Sequence, residues 1–221
     1  DAQARRVRIE TGAAGRQLLR VTDDGIGMVG ADALLCVERH TTSKMSQPSD
    51  LFAITTLGFR GEALASICAV ARVCIETRSA REEAGTRLVV EGGVQRSLAS
   101  CGRAPGTTIE VRDLFFNTPA RRKFLRQDST EQRHTVRAVV QLAAARPEAG
   151  LQLVEDDRQV LDLLPGTPRS RAAELMGVDA QTLLELDRAE GGVRVTGYLA
   201  PADRPPSAAQ GSQFVIVRGR P

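Results

Sequence analysis

The sequence is poor in aromatic residues, with no tryptophan, one tyrosine and six phenylalanines among 221 residues. Half of the phenylalanines, Phe115, Phe116 and Phe124, lie close together in the chain. Aromatic rings bury large apolar areas, and this chain has few of them. We therefore expect these three rings to be packed.

Long apolar runs and metal-binding or disulfide patterns are also missing. No stretch approaches the ~20 apolar residues of a membrane span, and residues 1–6 lack the apolar segment of a signal peptide. Cys36, Cys68, Cys74 and Cys101 form no C-x-x-C pair, and only two histidines could join them. These absences favour a cytoplasmic protein without a membrane segment and argue against zinc or a disulfide framework.

Lysine is scarce too, since only Lys44 and Lys123 among 30 basic side chains are lysine. Both lie in motif-like segments. Lysine at these positions of an arginine-rich chain indicates that a compact ammonium group is favoured there over a planar guanidinium. The net charge is +3 and the isoelectric point about 8.9. This balance permits contact with nucleic acid without requiring it.

The hydrophobic content of 42% is sufficient for a buried core. Alternating apolar residues predict strands, and the natural pairing between them is antiparallel. The predicted strands are Arg5–Glu10, Leu18–Val21, Arg72–Thr77, Thr86–Glu91, Gly106–Arg112, Leu151–Val154, Arg158–Leu163, Gly192–Leu199 and Gln213–Val217.

Helices are predicted at Ala31–Glu38, with Leu34, Leu35 and Val37 facing inward, and at Ser170–Met176. A long helix should follow a capping box formed by Ser129 and Gln132. Pro165-Gly166-Thr167-Pro168 interrupts the pattern. We therefore predict one domain over residues 1–165 and the beginning of a second over residues 166–221.

Residues 56–67 combine a glycine-rich loop with the start of a helix. Gly58 and Gly61 can adopt a positive φ, and a helix starting near Gly61 or Glu62 would direct its free N–H groups toward an anion. The alternative is an ordinary glycine turn before a core helix with Ala63, Leu64 and Ile67 on its apolar face.

Asp23-Asp24-Gly25-Ile26-Gly27 follows a predicted strand. The plain interpretation is a β-turn. A functional interpretation is that Asp23 accepts a hydrogen bond from an exocyclic amine while the glycines let a flat base lie against the backbone. A calcium loop is disfavoured because its later acidic ligands are absent.

Two polar segments are candidates for phosphate contact. Residues 39–44 (RHTTSK) carry hydroxyls and a lysine suited to phosphate oxygens, although a solvated loop would look the same. Arg121, Arg122, Lys123 and Arg126 are positioned in sequence to meet DNA phosphates, or they form a solvated charged face.

Together, five segments resemble, in order, motifs of the MutL family of DNA mismatch-repair ATPases. They are residues 23–27 (DDGIG), 39–44 (RHTTSK), 57–67 (LGFRGEALASI), 106–108 (GTT) and 116–125 (FNTPARRKFL). The D-x-G-x-G element also fits other GHKL ATPases, such as gyrase B subunits, large chaperones and histidine kinases. Two of the motifs are specific to MutL: G-F-R-G-E-A-L within residues 57–67 and N-T-P-A-R-R-K-F within residues 116–125. The resemblance is strong to about residue 126 and weaker to Pro221.

The resemblance implies an α+β fold of the GHKL (Bergerat) type: a two-layer α/β sandwich with a mixed, mostly antiparallel sheet and helices on one face, followed by part of an α/β transducer domain. It also implies a nucleotide site. Asp23 would bind the adenine amine, Gly25 and Gly27 would line the base, and Thr107 or Thr108 would lie near it. The phosphates would be held by Thr42, Ser43, Lys44, Arg60, Gly61, Glu62, Ala63 and Leu64.

The implied cofactors are ATP and Mg²⁺. The implied partners are DNA, a mismatch-recognition protein, a downstream nuclease or helicase, and a second copy of the chain on ATP binding. The implied location is the bacterial cytoplasm, with nucleoid association during repair.

Three departures from the family pattern matter. The family's first motif, E-x-x-x-N-x-x-D-A, supplies the water-activating glutamate and the Mg²⁺-binding asparagine, and this sequence starts at its last two residues, Asp1-Ala2. The sequence also ends before the family's phosphate-sensing lysine. Asp24 stands where the family commonly has Asn, and Gln3 where it commonly has Gly; the extra carboxylate either repels a polyphosphate or faces solvent.

We therefore expect an ATPase whose 221 residues here bind nucleotide without hydrolysing it. The alternative is a non-catalytic dimerisation or DNA-binding scaffold of the same ancestry. A chaperone-like or gyrase-like ATPase is disfavoured by the N-T-P-A-R-R-K-F segment.

Overall fold

A computed structural model describes residues 2–38, 61–201 and 213–221. Within these ranges the chain forms one eight-stranded sheet, a separate two-stranded sheet and five α-helices. The strands are β1 (Arg6–Gly12), β2 (Leu18–Asp23), β3 (Arg72–Arg78), β4 (Gly85–Glu91), β5 (Val94–Cys101), β6 (Gly106–Arg112), β7 (Gly150–Glu155), β8 (Arg158–Leu163), β9 (Leu184–Glu190) and β10 (Val193–Leu199). The helices are α1 (Gly30–Leu35), α2 (Ala63–Cys68), α3 (Pro119–Arg122), α4 (Asp128–Ala145) and α5 (Pro168–Met176).

The large sheet is mixed, as predicted. Its strand order is β5-β4-β3-β6-β2-β1-β7-β8, and all neighbours are antiparallel except β1 and β7. The parallel pair joins Arg6–Thr11 to Gly150–Glu155. β1 therefore lies inside the sheet, between β2, which follows it directly in sequence, and β7, which comes much later.

One face of the large sheet carries the core. Six apolar residues in direct register cross it from β7 to β4: Leu153, Ile9, Val21, Ile109, Ile75 and Leu88. Successive side chains of a strand point to opposite faces, so this row marks a single face. Residues of α1 and α2 pack on its β3–β4 half, and residues of α4 pack on its β1–β7 half.

The opposite face is polar and its charges are paired. Arg20 donates to Glu110 at 2.8 Å and to Glu10 at 3.2 Å, while Arg8 donates to Glu10 and Arg112 to Glu110. The hydrogen bond from Arg8 lowers the pKa of Glu10, although partial burial acts in the opposite direction. Burial opposes the same change at Glu110, but the bonds from Arg112 and Arg20 lower its pKa. This face is a network of satisfied ion pairs.

The core face contains two thiols held in the protonated state. Cys68 on α2 is only 2% exposed, and Cys36 follows α1 on the same side of the sheet. Burial raises the pKa of each thiol to about 11, and the neighbouring Cys68 adds to the shift at Cys36. All four cysteines are free.

Several predicted elements differ from those observed. β5 and β9 were not expected, because both are exposed and lack a clear apolar alternation. Residues 213–217, expected as a strand, take part only in an isolated bridge between Val217 and Arg220. In α1, Leu35 faces solvent and Ala33 is the buried residue.

The expected capping box of α4 was wrong. The helix begins at Asp128, so Ser129 already lies in its first turn, and its N-cap, Gln127, makes no side-chain capping bond. A capping box is found in α5 instead, where Thr167 and Ser170 bond reciprocally.

α5 is attached to the first part of the chain by a buried arginine. Arg171 is 2% exposed, and its Nη2 lies 3.2, 3.0 and 2.6 Å from the carbonyl oxygens of Pro147, Ala149 and Leu164. Burial lowers the pKa of this guanidinium. The division at residue 165 stays a prediction, although β9 and β10 do form their own sheet. Among the described helices, none has the length and apolar character needed to cross a bilayer.

Candidate functional site

A row of polar side chains crosses three central strands at one end of the sheet. Asp23 on β2 is in register with Thr107 on β6, which is in register with Thr77 on β3. Each of them lies two residues along its strand from a residue of the apolar row: Val21, Ile109 and Ile75. Alternation therefore places all three on the core face. The three side chains therefore form a polar edge beside the core.

The threonines of this row are buried and bonded to each other. Thr77 is 0% and Thr107 is 8% exposed, and their Oγ1 atoms are 3.0 Å apart. Thr77 also accepts a hydrogen bond from Met28 N at 2.8 Å. Sequence reasoning missed Thr77, yet its place two residues after the buried Ile75 in an alternating strand was the available signal.

Asp23 is held by the turn that follows it. Its Oδ1 accepts a 2.8 Å hydrogen bond from Gly25 N, an Asx-type turn. For the described residues no hydrogen bond to Oδ2 is found. Within the part of the chain that the structure describes, this half-buried carboxylate therefore has one oxygen without a donor.

The glycines around Asp23 are required by the protein's own backbone. A Cβ on Gly25 would clash with Ala2 O, a Cβ on Gly27 with Arg78 O, and a Cβ on Gly106 with Asp23 O. Gly27 and Gly106 also have positive φ values of 65° and 124°. We expected these glycines to let a base approach the backbone closely. In the structure, neighbouring chain segments make part of that close approach.

Asp24 is exposed to solvent, as one of the two expectations had it, and it is also hydrogen-bonded to the backbone. Its Oδ1 accepts hydrogen bonds from Arg5 N at 2.8 Å and Arg6 N at 2.9 Å. An asparagine Oδ1 could accept the same two bonds, so either residue type suits this position. Gln3, at the position where the resemblance led us to expect glycine, has a φ of 55°.

Thr108 lies on the other face of the sheet from Asp23. Its Oγ1 is 3.2 Å from that of Thr22, which shares that face. Of the two threonines considered for the adenine, only Thr107 is brought beside Asp23.

The glycine loop is described only from Gly61 onward. Gly61 has the expected positive φ, 62°, and α2 begins two residues later with Glu62 as N-cap. The buried residues of α2 are Ala65 and Cys68, whereas Ala63 is exposed and Leu64 is half-buried. The positions Thr42, Ser43, Lys44, Gly58 and Arg60 lie outside the described residues.

A pocket of about 510 Å³ opens elsewhere, between α1, α2 and β4. Its lining mixes apolar residues such as Leu34 and Val90 with polar ones such as Glu38. It does not contain Asp23 or Thr107.

The basic segment forms α3 and the turn after it. Arg121, Arg122 and Lys123 are exposed, and Arg126 contacts His134 of α4 at 2.8 Å. Phe116 is packed under Arg72, whose guanidinium carbon lies 4.9 Å from the ring centre. Phe124 was expected to pack and does not, since it is 84% exposed.

Comparison with known proteins gives a consistent result, although no family model matches the chain. Over its full length the chain is 45% identical to the DNA mismatch repair protein MutL of Trichlorobacter lovleyi and 44% identical to that of Geobacter sulfurreducens. It spans 37% and 36% of those two proteins, little more than a third of their length.

Solved structures agree. The ATPase domain of Aquifex aeolicus MutL complexed with ADP matches with a TM-score of 0.71 and 28% identity over 93% of this chain and 72% of that one. The ATPase domain of the mismatch repair endonuclease MutL from the same organism matches with a TM-score of 0.68 and 26% identity, over 94% and 69% of the two chains.

The mixed eight-stranded sheet with its helices on one face is therefore the α+β fold of a GHKL-type ATPase domain. Together with the identity over the whole chain, this fold settles the family. The chain belongs to the MutL family of DNA mismatch-repair proteins.

Proposed function

We propose that this chain is the nucleotide-binding region of a MutL-type mismatch-repair protein and that it binds ATP with the adenine at Asp23. The observation that carries the proposal is the row formed by Asp23, Thr107 and Thr77 at the edge of the core. The binding of ADP by the similar Aquifex aeolicus domain supports it.

Recognition of adenine follows from the donor and acceptor pattern of this row. The Oδ2 atom of Asp23 would accept a hydrogen bond from the exocyclic amine, while Gly25 N holds Oδ1 in place. Guanine presents a carbonyl oxygen at the same position, and two acceptors facing each other repel. The hydroxyl of Thr107 can donate or accept, so it suits a ring nitrogen or a bridging water, while the buried Thr77 holds it from behind.

We propose that the phosphates lie toward the glycine loop, on Thr42, Ser43, Lys44, Arg60, Gly61, Glu62, Ala63 and Leu64, and that Gly25 and Gly27 line the base. The positive φ of Gly61 supports this role, because it turns the backbone into the start of α2. Exposed N–H groups at that start suit phosphate oxygens.

Mg²⁺ would accompany the phosphates, but the described residues include no group of three His, Cys, Asp or Glu side chains that could hold a metal ion. The resemblance gives the metal-binding and water-activating roles to the asparagine and glutamate of the family's first motif, which these 221 residues do not contain.

In the whole protein, nucleotide binding would drive dimerisation and connect mismatch recognition to a downstream nuclease or helicase. DNA contact is proposed at Arg121, Arg122, Lys123 and Arg126, in a cytoplasmic protein that joins the nucleoid during repair. The support for these roles is the identity with MutL proteins.

The decisive experiment compares two neighbouring carboxylates by calorimetry with ADP and a non-hydrolysable ATP analogue. Asp23→Asn keeps an oxygen for Gly25 N but replaces the acceptor for adenine by a donor. We expect the affinity to fall by about 10- to 150-fold, the range for a hydrogen bond to a charged group. Asp24→Asn removes the same charge and keeps both backbone bonds, so its affinity should equal that of the unaltered chain.

Equal effects of the two substitutions would contradict the adenine assignment, since only the shared loss of charge would then matter. Absence of binding by the unaltered chain would favour a non-catalytic scaffold.

A further inference from the structure

β5 leaves one edge of the large sheet open. The strand pairs with β4 alone, so the backbone groups on its other side have no partner strand among the described residues. It is eight residues long, it contains no proline, and Arg96 is its only charged residue. Soluble proteins usually protect such an edge with charges, proline or a covering segment. β5 is therefore suited to pair with a further strand.

The core face of the sheet continues to this edge. Leu98 lies opposite the buried Leu88, and Gln95 lies opposite the buried Val90. Leu98 is nonetheless 47% exposed, and no described strand lies beyond it. Because side chains alternate along a strand, a segment added to β5 would place every second side chain on this face, beside Leu98 and Gln95.

The pocket between α1, α2 and β4 reaches the same edge. Gln95 of β5 belongs to its lining, as do Leu34 and Val37 on the α1 side. The β4–β5 turn is attached to the end of α2, because Gly93 N donates to Cys68 O at 2.8 Å. The volume of about 510 Å³ is in the range of ligand sites, roughly 300–1,000 Å³, so a long side chain fits inside.

The pocket carries one negative charge. Glu38 is the only charged residue in the part of the lining that the structure describes. It is exposed, and its carboxylate makes no hydrogen bond or ion pair with the described residues. Lysine and arginine side chains combine an apolar stem with a charged end. The apolar surface and the unpaired carboxylate together are complementary to such a side chain and would repel an acidic one.

We propose that β5 and the adjacent pocket bind an extended, basic segment of a partner protein. The segment pairs with β5 as an additional strand, and one of its lysine or arginine side chains enters the pocket. The stem of that side chain lies on Leu34, Val37 and Val90 while its charged end meets Glu38. Strand addition takes its affinity from main-chain hydrogen bonds and its specificity from pockets for alternate side chains.

The alternatives fit less well. A helix satisfies its own backbone groups and would leave the edge of β5 unpaired. β8, at the other edge of the large sheet, is shorter and carries Arg158 and Asp162, of which Asp162 pairs with Arg6. Neither Asp23 nor Thr107 is among the described lining residues, so the peptide site is separate from the proposed nucleotide site.

A phage-displayed library of random dodecapeptides, selected on the immobilised chain of 221 residues, is the first probe. We expect the selected sequences to place a lysine or arginine among strand-forming residues such as valine, isoleucine and threonine. No enrichment over the bare support would overturn the proposal. Enrichment of acidic sequences alone would also overturn it, since the exposed cations around α3 would then be the site of capture.

A selected peptide, synthesised with a fluorescent label, tests the strand pairing by anisotropy. Its backbone nitrogens are methylated at odd positions in one version and at even positions in another. Alternate N–H groups of a strand point toward the same neighbour, so one version should bind at least about 10-fold more weakly. The other version should retain most of the affinity. Equal losses for the two versions would refute pairing with β5.

Substitutions in the protein locate the peptide. Glu38→Gln should weaken binding about 2- to 5-fold, the range for an exposed ion pair, and Glu38→Lys should prefer a peptide with glutamate in place of the basic residue. Leu98→Thr should weaken binding about 2- to 5-fold through lost apolar contact. The matched controls are Glu83→Gln, at an exposed residue of the β3–β4 turn, and Val160→Thr, at a residue of β8 that is 45% exposed. Neither control should change binding.

Unaltered binding by Glu38→Lys and Leu98→Thr would refute the site, and loss of binding with Val160→Thr would place the peptide on β8 instead. Far-ultraviolet circular dichroism of each variant verifies that it is folded.

Discussion

Gly15 and Gly27 have similar backbone angles but different surroundings. Substituting each of them therefore distinguishes the cost of backbone strain from the cost of a steric clash. Gly15 and Gly27 have φ values of 83° and 65°, but a Cβ on Gly15 meets nothing within 4 Å whereas one on Gly27 clashes with Arg78 O. Gly15→Ala should cost about 1–2 kcal/mol of unfolding free energy, the cost of a left-handed conformation. Gly27→Ala should cost about 1–3 kcal/mol more through overpacking.

Urea unfolding of the two variants measures this difference. Equal losses of stability would mean that the β2–α1 connection can move away from β3 without cost. The position of Asp23 would then depend less on Gly27 than the contacts indicate.

At the residue scale, sequence reasoning succeeded where a residue type has one local consequence. Gly61 has the positive φ expected of it, and Asp23 lies at a strand end beside a glycine turn. It failed where a distant partner decides the outcome. Thr77 joins the site only through the β3–β6 register. The bonds that Arg5 N and Arg6 N donate to Asp24 could not be predicted from the residues next to it in sequence.

Phe124 is the most informative error. The scarcity of aromatic residues predicts that the ring is packed, yet Phe124 lies in the turn after α3, a helix with no buried residues. The segment is held by contacts elsewhere, such as the bond from Asn117 Nδ2 to Ala69 O at 2.9 Å.

Among the elements, α5 is attached by the buried Arg171 and by apolar packing of Leu175 on the core. Arg171→Met keeps an unbranched, mostly apolar stem, although a shorter one, and leaves three carbonyl oxygens without their donor. We expect a loss of about 2 kcal/mol, the penalty for partly buried acceptors left unsatisfied. Amide exchange should accelerate in residues 164–176 more than in the central strands.

Arg158→Met is the matched control, because Arg158 is exposed on β8 and pairs with no carboxylate among the described residues. Its stability should change by no more than about 0.5 kcal/mol. A loss for Arg171→Met as small as that of the control would show that the apolar contacts of α5 suffice.

Partly buried strands were predicted correctly, whereas exposed strands were missed. β3, β4 and β6 alternate between core and open face, and their sequences show it. β5 pairs through its backbone at the edge of the sheet, where side chains meet no core, so its sequence carries no such pattern. Edge strands are specified by their neighbours more than by their own residues.

At the scale of the whole molecule, the buried thiols predict loss of stability in alkali. Burial raises the pKa of the Cys68 thiol to about 11 in the folded state, from 9.0 when exposed. Its contribution is therefore complete below pH 9 and is lost as the pH rises toward 11. At about pH 10 the loss from Cys68 should be on the order of 1 kcal/mol.

Urea midpoints at about pH 7 and pH 10 measure this effect, and few other groups interfere because the chain has two lysines and one tyrosine. Cys68→Ala lowers stability at both values through the cavity it leaves, but its decline between them should be smaller by the amount assigned to the thiol. An identical decline in both proteins would contradict the shifted pKa.

The parallel pairing of β1 with β7 has a consequence for the time course of synthesis. β1 can form a hairpin with β2 as soon as both have emerged, but its other edge pairs with residues 150–155, about 140 residues later. At ribosomal speeds of about 5–20 residues per second, that edge stays open for roughly 7–28 s. Until β7 arrives, the nascent chain therefore carries an unpaired strand that other unfinished chains can join.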